Sequence, residues 1–472
     1  MCGVFGIVQA KGDAAPKIYT GLTQIQHRAH DSAGIATYDE KNNAYHVHKG
    51  MGEVATVFTE EILSSLSGSC GIGHVRWTTE GDMDLSNAHP LIGIFRGKPF
   101  YLVHNGEVQL DNNAVFARIE GTATDTKFIA ALISNSGAAD FKEALRYVCF
   151  ILKGTYALVV LFENKVYAIR DITGNRPLIL GTNSHSFMVA SESAAFRPLG
   201  GNYLREIERG EVIVLERDPL RYSNFEINQH PLEIPPHLQF CLFEMIYLLR
   251  PDSVFLGRTV ELVRERMGAE LFLEHPLSAD MIIGVPDSGE AAAYGYAFQS
   301  GLPMRKGILR SHYAGRMFIE PVAKRAQKLL IKLSVIKEIV AGKRIIVIDD
   351  SIVEGGTSKK IVALLREAEA REIYVLSSSP PITHPCFYGV PTARKHRRLI
   401  ARDYKSDITA ICREIGADYL GYLSLYSTMK AVIETPPIIP EYASLSENSF
   451  CAACFTGIYP IPLNAGLIKE NF

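Results

Sequence analysis

The chain has 472 residues, which is too long for one ordinary hydrophobic core and predicts two domains. Hydrophobic residues make up 47% of it and charged residues 21%, the balance of a soluble globular protein. A formal net charge of −2 without a long run of one sign argues against nucleic acid as a partner. Because the sequence has neither a bilayer-length apolar stretch nor a basic signal-peptide start, we expect a cytoplasmic protein with no membrane partner.

The first half of the chain, to about residue 232, is dominated by short β-like runs, each ended by Gly, Asn, Asp or a short polar step. The predicted strands are Val4–Val8, Tyr101–His104, Tyr156–Phe162, Val166–Arg170 and Leu178–Leu180. Helical patterns fall near Pro16–Arg28 and Asp125–Ile133. Many short strands with few helices predict stacked sheets that are covered by helices.

The second half has a different pattern, and the proline-rich residues 228–236 before it indicate a linker. Two apolar runs, Met281–Val285 and Arg344–Ile348, are typical of strands in a parallel sheet that is buried on both faces. Each run is followed by a glycine-containing turn and then by a helical stretch, Glu290–Phe298 and Lys359–Ala370 respectively. These βαβ units predict active-site loops at the carboxyl ends of the strands.

Cys2 directly follows the initiator methionine. Removal of Met1 would place a thiol and a free α-amine on one residue. Because an α-amine titrates at about 7.7–8.0 and a thiol at about 8.5, the amine can take the thiol proton and activate its own nucleophile. On position alone, a terminal cysteine without a role is the more ordinary interpretation.

Five short segments in a fixed order change that interpretation. They are Cys2-Gly3-Val4-Phe5-Gly6-Ile7, Arg28-Ala29-His30-Asp31-Ser32-Ala33-Gly34-Ile35, Gly73-His74-Val75-Arg76-Trp77-Thr78-Thr79, His104-Asn105-Gly106 and Asp125-Thr126. Together they resemble the N-terminal-nucleophile glutamine amidotransferases. The resemblance implies that Cys2 is the nucleophile, that Arg28 belongs to the catalytic set and that Asn105 and Gly106 donate to the oxyanion. It also implies that Arg76, Thr79 and Asp125 bind the two charged ends of glutamine.

The strand at Arg344–Ile348 runs into two acids, Asp349 and Asp350, and then into a loop that contains Ser351, Gly355, Gly356 and Thr357. This resembles the signature with which type I phosphoribosyltransferases bind phosphoribosyl pyrophosphate (PRPP). Loop N–H groups and a helix N-terminus suit a phosphate. The resemblance implies that the loop residues bind PRPP and that the two acids hold the ribose hydroxyls and Mg²⁺. A generic strand–turn–helix would need only one capping acid.

Two more segments narrow the resemblance. Gly284-Val285-Pro286-Asp287-Ser288-Gly289 and Tyr313-Ala314-Gly315-Arg316-Met317-Phe318-Ile319 are similar to blocks of the amidophosphoribosyltransferases, and the similarity covers nearly the whole chain. It implies PRPP contacts from Asp287, Ser288 and Arg316, with Ser288 also a ligand of Mg²⁺.

The implied fold class is α+β and α/β: a four-layer αββα N-terminal-nucleophile domain (2–232), a type I phosphoribosyltransferase domain with a parallel sheet (233–440) and a tail (441–472).

Eight cysteines fall into three groups. Besides Cys2, we expect Cys70, Cys149 and Cys412 to be buried, reduced and structural. Cys451-Ala452-Ala453-Cys454 alone fits zinc, a redox pair or chance, and four thiolates suit either zinc or an iron–sulfur cluster. The resemblance extends to the cluster-bearing branch of the family and implies a structural [4Fe–4S] cluster on Cys241, Cys386, Cys451 and Cys454.

The implied reaction joins two sites. Glutamine forms a thioester on Cys2, and the released ammonia attacks C1 of PRPP to give 5-phosphoribosylamine, glutamate and pyrophosphate, the first committed step of purine synthesis. The resemblance further implies a homotetramer that purine nucleotides inhibit. Two alternatives stay open: another sugar-phosphate acceptor, which Asp349-Asp350 argues against, and a PRPP or nucleotide sensor with weakened catalysis. Ala29, Glu354 and Gly356 depart from the family pattern, and the altered loop at Glu354 and Gly356 motivates the sensor.

Overall fold

The structure is a computed structural model that describes residues 2–78, 84–109, 124–227, 237–311, 333–393, 398–442 and 444–463. The first half of the described chain forms two antiparallel sheets. One contains, in spatial order, β11 (Asn202–Glu206), β9 (Ile179–Asn183), β10 (Ser186–Ala190), β1 (Gly3–Gln9), β4 (Cys70–Arg76), β2 (Ser32–Asp39) and β3 (Ala44–Met51). The other contains β13 (Arg221–Glu226), β12 (Glu211–Glu216), β8 (Lys165–Arg170), β7 (Gly154–Phe162), β6 (Lys98–Val108) and β5 (Leu91–Phe95).

The two sheets stack face to face with helices on both outer faces. In β1, Val4 and Val8 point into the apolar layer between the sheets, whereas Phe5 and Ile7 point to the opposite side, as the two-residue period of a strand requires. The first outer face carries α1 (Ala15–Gln24), α2 (Val54–Val57) and α3 (Glu60–Ser65), and the second carries α4 (Asp125–Ser134) and α5 (Phe141–Ile151). This is the predicted four-layer αββα arrangement.

The second half is built on a parallel sheet. It has the order β17 (Met281–Gly284), β20 (Arg344–Asp349), β21 (Glu372–Ser377) and β22 (Tyr419–Tyr422). Ile282 and Ile346 contribute to one core and Ile283 and Val347 to another, so the strands are buried on both faces. The helices are α6 (Val260–Glu274), α7 (Glu290–Ser300), α8 (Lys337–Val340), α9 (Gly356–Glu367), α10 (Ile400–Asp403), α11 (Ile408–Ile415), α12 (Leu425–Glu434) and α13 (Ala453–Thr456).

Short strand pairs complete the described chain. They are β14 (Phe240–Cys241) with β23 (Phe450–Cys451), β15 (Val254–Phe255) with β16 (Arg258–Thr259), and β18 (Ile308–Arg310) with β19 (Leu333–Val335). The predicted linker, 228–236, lies outside the described residues, and the boundaries of the three domains stay predictions. Across the ranges given above, no helix combines the length and the apolar character that a membrane span needs.

Two predicted helices differ from the observed ones at their ends. α1 ends at Gln24, and a separate 3-10 turn, Gln26–Arg28, follows it instead of a continuous helix to Arg28. The break turns the side chain of Arg28 into the protein, where it is buried. α9 begins at Gly356 and not at Lys359, because Gly355 ends the preceding loop in the left-handed conformation at φ +80°.

Candidate active sites

Cys2 lies immediately before β1, which pairs with both β4 and β10. Its backbone nitrogen donates to Asn105 Oδ1 at 3.2 Å, and its thiol donates to the carbonyl of Trp77 at 3.7 Å. While Met1 is attached, this nitrogen is an amide. Removal of Met1 would convert this nitrogen into the α-amine that the predicted mechanism uses as a base.

The predicted oxyanion donors, Asn105 and Gly106, are consecutive residues of β6. Asn105 is buried, and among the described residues its Nδ2 has no hydrogen-bond partner. Its Oδ1 is held by Cys2, so the amide is oriented beside the nucleophile with a donor to spare. At Gly106, φ is +151°, and a Cβ would come within 2.0 Å of the carbonyl oxygen of Thr155. Only glycine therefore fits at this position.

Arg28 holds the backbone of Cys2 and does not reach toward its thiol. Its Nε donates to the carbonyl of Cys2 at 2.9 Å. Its other nitrogens pair with Glu192 at 2.7 Å and with Glu244 at 3.0 Å, and Arg176 also pairs with Glu244, at 3.3 Å. Burial alone would lower the pKa of Arg28, but the two carboxylates outweigh it and raise that pKa. The buried charges at this end of the molecule are therefore compensated by one another.

The predicted glutamine-carboxylate ligand, Arg76, is the last residue of β4 and is buried. Its guanidinium donates to Thr78 Oγ1 at 3.1 Å, and the Thr78 nitrogen donates to Asp31 at 2.7 Å. These contacts fix the backbone that carries Trp77, whose carbonyl accepts the hydrogen bond from the thiol of Cys2. Thr79, also predicted to bind glutamine, lies outside the described residues.

The predicted ligand of the glutamine α-ammonium, Asp125, is the first residue of α4. Its carboxylate accepts hydrogen bonds from the nitrogens of Val108, at 3.2 Å, and Thr126, at 2.7 Å. His104 Nδ1 lies 3.5 Å from it and 3.1 Å from Thr126 Oγ1. Burial lowers the pKa of His104 although Asp125 opposes the shift, so the imidazole is neutral. The charge of Asp125 therefore stays available for an ammonium group.

At the predicted PRPP site, Asp349 ends β20 and Asp350 follows it, and both are buried. The nitrogen of Asp350 donates to Asp349 Oδ1 at 3.0 Å, and Ser351 Oγ donates to Asp350 Oδ2 at 2.6 Å. Burial, and then the neighbouring carboxylate of Asp350, raise the pKa of Asp349 well above its usual range. Two adjacent buried acids of this kind favour either a shared proton or a bound cation.

The glycine loop that follows opens onto the N-terminus of a helix of 12 residues, α9. Gly356 and Thr357 are exposed there, and a Cβ on Gly356 would meet nothing within 4 Å. Glu354, which departs from the family pattern, is exposed on the same loop. The loop therefore has room for a phosphate at the helix N-terminus.

Asp287 and Ser288 follow β17, which pairs in parallel with β20, so they lie at the same edge of the sheet as Asp349. The Asp287 carboxylate pairs with Arg310 at 2.7 Å, and the Pro286-Asp287 peptide bond is cis. Arg316 lies outside the described residues, as does the whole predicted loop that carries it.

One cavity of about 900 Å³ extends from the neighbourhood of Cys2 to the edge of the parallel sheet. Arg28 and Trp77, which both contact Cys2, line it on one side, and Asp287, Asp349 and Thr357 line it at the edge of the parallel sheet. The predicted PRPP loop and residues that contact the predicted nucleophile thus border the same cavity, although Cys2 and Asn105 are not among the described residues that line it.

Comparisons with known proteins place these sites in a family. A family model described as glutamine amidotransferases class-II matches residues 1–145. The amidophosphoribosyltransferase of Bacillus subtilis is 40% identical over 473 residues, which cover 97% of this chain and 94% of the relative. That of Drosophila melanogaster is 36% identical over 492 residues, covering 97% of this chain and 89% of the relative. The chain belongs to the amidophosphoribosyltransferase family.

Two solved structures extend this similarity to the fold. The glutamine PRPP amidotransferase of B. subtilis complexed with ADP and GMP superposes with a TM-score of 0.86 at 37% identity, over 98% of each chain. A structure described as the allosteric regulatory enzyme of purine biosynthesis superposes with a TM-score of 0.87 at 36% identity, over 100% of this chain and 99% of that one. The predicted family and fold class are therefore confirmed.

In this amidophosphoribosyltransferase, four cysteines line the same cavity: Cys241, Cys386, Cys451 and Cys454. Cys241 and Cys451 are partners in the parallel pair of β14 and β23. Burial raises the pKa of Cys241 to about 11 and of Cys451 to about 12, and it raises those of Cys386 and Cys454 as well. All four predicted cluster ligands thus border the same cavity, and their assembly into one metal site stays a prediction. Within the described ranges, no three Cys, His, Asp or Glu side chains form a group suited to a metal ion.

The three cysteines that were expected to be buried differ in exposure. Cys70 and Cys149 are buried free thiols, as expected, whereas Cys412 is a free thiol that is only partly buried. Its Sγ donates to the carbonyl of Ala417 at 3.2 Å, at the end of α11. That helix packs with one face on the core, and Cys412 lies at the margin of this face.

Sequence reasoning missed the residues that tie the two halves together around Cys2. Arg176 and Glu192 lie in segments that resemble the family, Arg176-Pro177-Leu178 and Ser191-Glu192-Ser193, but the sequence assigned them no role. Glu244, three residues after Cys241, was likewise unassigned. All three are fully buried. Only Glu244 carried a sequence signal, as a charged residue inside the otherwise apolar run Leu242-Phe243-Glu244-Met245-Ile246.

Proposed function

We infer that this chain releases ammonia from glutamine and transfers it to C1 of PRPP, giving 5-phosphoribosylamine, glutamate and pyrophosphate at the first step of purine synthesis. The observation that carries the inference is one cavity that extends from residues contacting Cys2 to the Asp349-Asp350 edge. Ammonia is small enough to move through a space of this size. Similarity to amidophosphoribosyltransferases over nearly the full chain favours PRPP over another sugar phosphate as the acceptor.

In the glutaminase step, the α-amine of the processed chain takes the proton of the Cys2 thiol, and the thiolate attacks the γ-carbonyl of glutamine. The carbonyl oxygen becomes an oxyanion, which accepts hydrogen bonds from the free Nδ2 of Asn105 and from the N–H of Gly106. The C–N bond breaks, ammonia leaves with the proton returned by the amine, and a thioester remains. Water then hydrolyses the thioester to glutamate and restores the thiol. Arg76 and Asp125 hold the carboxylate and the ammonium of the substrate.

In the transfer step, the nitrogen of ammonia forms a bond to C1 of PRPP while the bond from C1 to the pyrophosphate oxygen breaks. The ammonium group that forms on C1 then releases one proton to solvent and leaves the amine. Asp349 and Asp350 hold the ribose hydroxyls, and the loop of Ser351, Gly355, Gly356 and Thr357 holds the 5-phosphate. Ser288 and the two acids would hold Mg²⁺, which supplies charge neutralisation for the leaving pyrophosphate. The raised pKa of Asp349 supports this assignment, because adjacent carboxylates favour a cation between them.

We further propose a structural [4Fe–4S] cluster on Cys241, Cys386, Cys451 and Cys454. Four free thiols line one region of the cavity, and thiolates are the ligands of such clusters. The cluster would join the segment after residue 440 to β14. Chemical analysis of anaerobically purified protein for iron and acid-labile sulfide tests this proposal, and zinc without sulfide would refute it.

We also propose inhibition by purine nucleotides, a homotetramer and a cytoplasmic location. The relative that was solved with ADP and GMP supports the first. The eight unpaired cysteines support a reducing compartment. Sedimentation of the protein with and without ADP and GMP tests both the assembly and its response to nucleotides.

The decisive experiment uses Cys2→Ala. We expect this variant to lose glutamine-dependent synthesis by about 10⁴-fold or more, because the nucleophile is gone, and to keep ammonia-dependent synthesis from PRPP. Cys412→Ser is the matched control, since Cys412 lies far along the chain in α11 and should leave both activities unchanged. If folded wild-type protein with its metal content intact used neither nitrogen source, the function itself would be wrong and the sensor alternative would stand.

A further inference from the structure

A segment of the second half reaches into the glutaminase half and contacts the oxyanion strand. It comprises Cys386-Phe387-Tyr388-Gly389 and is called here the 386–389 segment. The carbonyl of Tyr388 accepts hydrogen bonds from Thr155 Oγ1 at 3.0 Å and from Arg176 Nε at 2.7 Å. Both donors belong to the first half of the chain, and Thr155 lies in β7, the neighbour of β6. The segment is therefore anchored on the strand next to the oxyanion element.

Gly389 lies directly against the backbone of Gly106. A Cβ placed on Gly389 would come within 3.1 Å of the carbonyl carbon and oxygen of Gly106 and within 3.3 Å of its Cα. The φ angle of Gly389 is +105°, a conformation that L side chains rarely adopt. Position 389 thus requires glycine for two separate reasons, the close approach and the backbone angle.

Gly106 is confined from two directions. On one side lies the carbonyl of Thr155 in β7, and on the other lies Gly389. The 386–389 segment is itself held from behind, because the Tyr388 hydroxyl donates to the carbonyl of Ile461 at 2.7 Å and accepts from its nitrogen at 3.0 Å. A displacement of this segment would therefore be transmitted to the backbone of Gly106.

We propose that Gly389 is a positioning residue for the glutaminase step: it seats the 386–389 segment against Gly106 and so fixes the oxyanion donor from the other half of the chain. The proposal rests on the proposed function, in which the Gly106 N–H donates a hydrogen bond to the developing oxyanion. Oxyanion donors act through precise placement. A small shift of the Gly106 backbone therefore reduces the stabilisation of the transition state more than it reduces the affinity for glutamine.

The first test is Gly389→Ala in the full-length, anaerobically purified protein. We expect kcat of glutamine-dependent synthesis to fall about tenfold or more while KM for glutamine changes by less than about twofold. Ammonia-dependent synthesis from PRPP should stay within about twofold of wild type, because the second site is unchanged. Iron and sulfide content should match wild type, which shows that the neighbouring cysteines are undisturbed.

Gly342→Ala is the matched control for backbone strain. Gly342 has a φ of +71° in the turn before β20, but a Cβ there would meet nothing within 4 Å. This variant should show no selective loss of glutamine-dependent activity. Equal losses in Gly342→Ala and Gly389→Ala would overturn the proposal, since strain alone would then explain both.

A second pair of variants keeps the proposal testable if Gly389→Ala does not fold. Thr155→Val removes the hydrogen bond to the Tyr388 carbonyl at nearly constant volume, and Thr155→Ser restores the hydroxyl. We expect kcat with glutamine to fall a few-fold in the valine variant, with KM unchanged, and to recover in the serine variant. Unchanged kcat in Thr155→Val, with wild type active on glutamine, would overturn the positioning role and leave the proposed function intact. Wild type that is inactive on both nitrogen sources would instead overturn the proposed function.

Discussion

Two groups of buried carboxylates, one near each reaction centre, are built in opposite ways. Near Cys2, Glu192 and Glu244 are fully buried and pair with Arg28, and Glu244 pairs with Arg176 as well. At the edge of the parallel sheet, Asp349 and Asp350 are buried beside each other, and the hydrogen bonds described for them come from a backbone nitrogen and a serine hydroxyl. One group contains its own cations and the other consists of adjacent acids.

Glu192 and Asp349, one residue from each group, have pKa shifts of opposite sign although both are buried. Burial alone would raise the pKa of Glu192, but His27 and Arg28 outweigh it, and the net pKa is lowered. Burial raises the pKa of Asp349, and the carboxylate of Asp350 raises it further. The charges of Glu192 and Glu244 are therefore balanced by arginines once the protein is folded. The pair of Asp349 and Asp350 is instead stabilised most by a cation that arrives with the substrate.

The largest effect should follow from Asp349→Asn. The amide cannot supply the negative charge that a cation and the developing positive charge at C1 require, so we expect PRPP-dependent synthesis to fall about 100-fold or more. Pyrophosphate release with ammonia as the nitrogen source measures this loss. Asp280→Asn is the control, because Asp280 lies at the opposite end of the same sheet, bound to the nitrogen of Arg344. Full activity in Asp349→Asn would show that the acid pair is not a cation site.

An intermediate effect, on stability, should follow from Glu192→Gln. The substitution keeps the volume but leaves Arg28 and His27 with less compensation in a fully buried site, which costs about 3 kcal/mol or more of folding free energy. Thermal unfolding should show a Tm lowered by several degrees. Glu163→Gln, which removes an exposed pair with Lys98, should leave Tm unchanged. Equal Tm values for the two variants would contradict the idea that the buried group is held together by its charges.

Local sequence features were sufficient to predict the residues at strand ends. The apolar run before Asp349 gives β20, and the glycines after it give the turn into α9, because period, strand length and turn residues are all local properties. For His104-Asn105-Gly106 the strand was predicted but its end was not, because the predicted strand stops at His104 whereas β6 continues through Asn105 and Gly106 to Val108. The residues around Asp349 could be placed at a strand end from the sequence, and the resemblance added the roles.

Contacts between distant segments could not be predicted in the same way. Arg28 and Glu244 are 216 positions apart, and no periodicity links them. Gly389 touches Gly106 only because the second half folds back onto β6, which depends on the packing of whole layers. The predicted helix to Arg28 was wrong for the same reason: the break at Gln24 is fixed by the buried partners of Arg28, which local helix propensity does not include.

Glu206 in β11 is a further buried carboxylate outside both groups, and it sharpens the comparison. Its Oε1 accepts from the nitrogen of Leu256 at 2.8 Å and from the Tyr203 hydroxyl at 2.9 Å. Among the described residues its Oε2 has no hydrogen-bond partner. Burial raises its pKa from 4.5 to about 7, although Arg170 opposes the shift and Glu208 adds to it. In the direction of its pKa shift, Glu206 resembles Asp349 more than it resembles Glu192.

The smallest effect should therefore be a dependence of stability on pH. Between about pH 4.5 and about pH 7 the folded state holds the Glu206 proton while the unfolded state releases it, so stability falls as pH rises, by up to about 3 kcal/mol. Glu206→Gln carries no such proton, so its Tm should decline less than that of wild type over this range. Parallel Tm curves would mean that Glu206 ionises normally, and Arg170 would then compensate it as Arg28 compensates Glu192. A Tm that declines more steeply with pH in wild type than in Glu206→Gln would group Glu206 with the uncompensated acids Asp349 and Asp350. Unlike them, Glu206 lies at a contact between the two halves, where the reaction needs no cation.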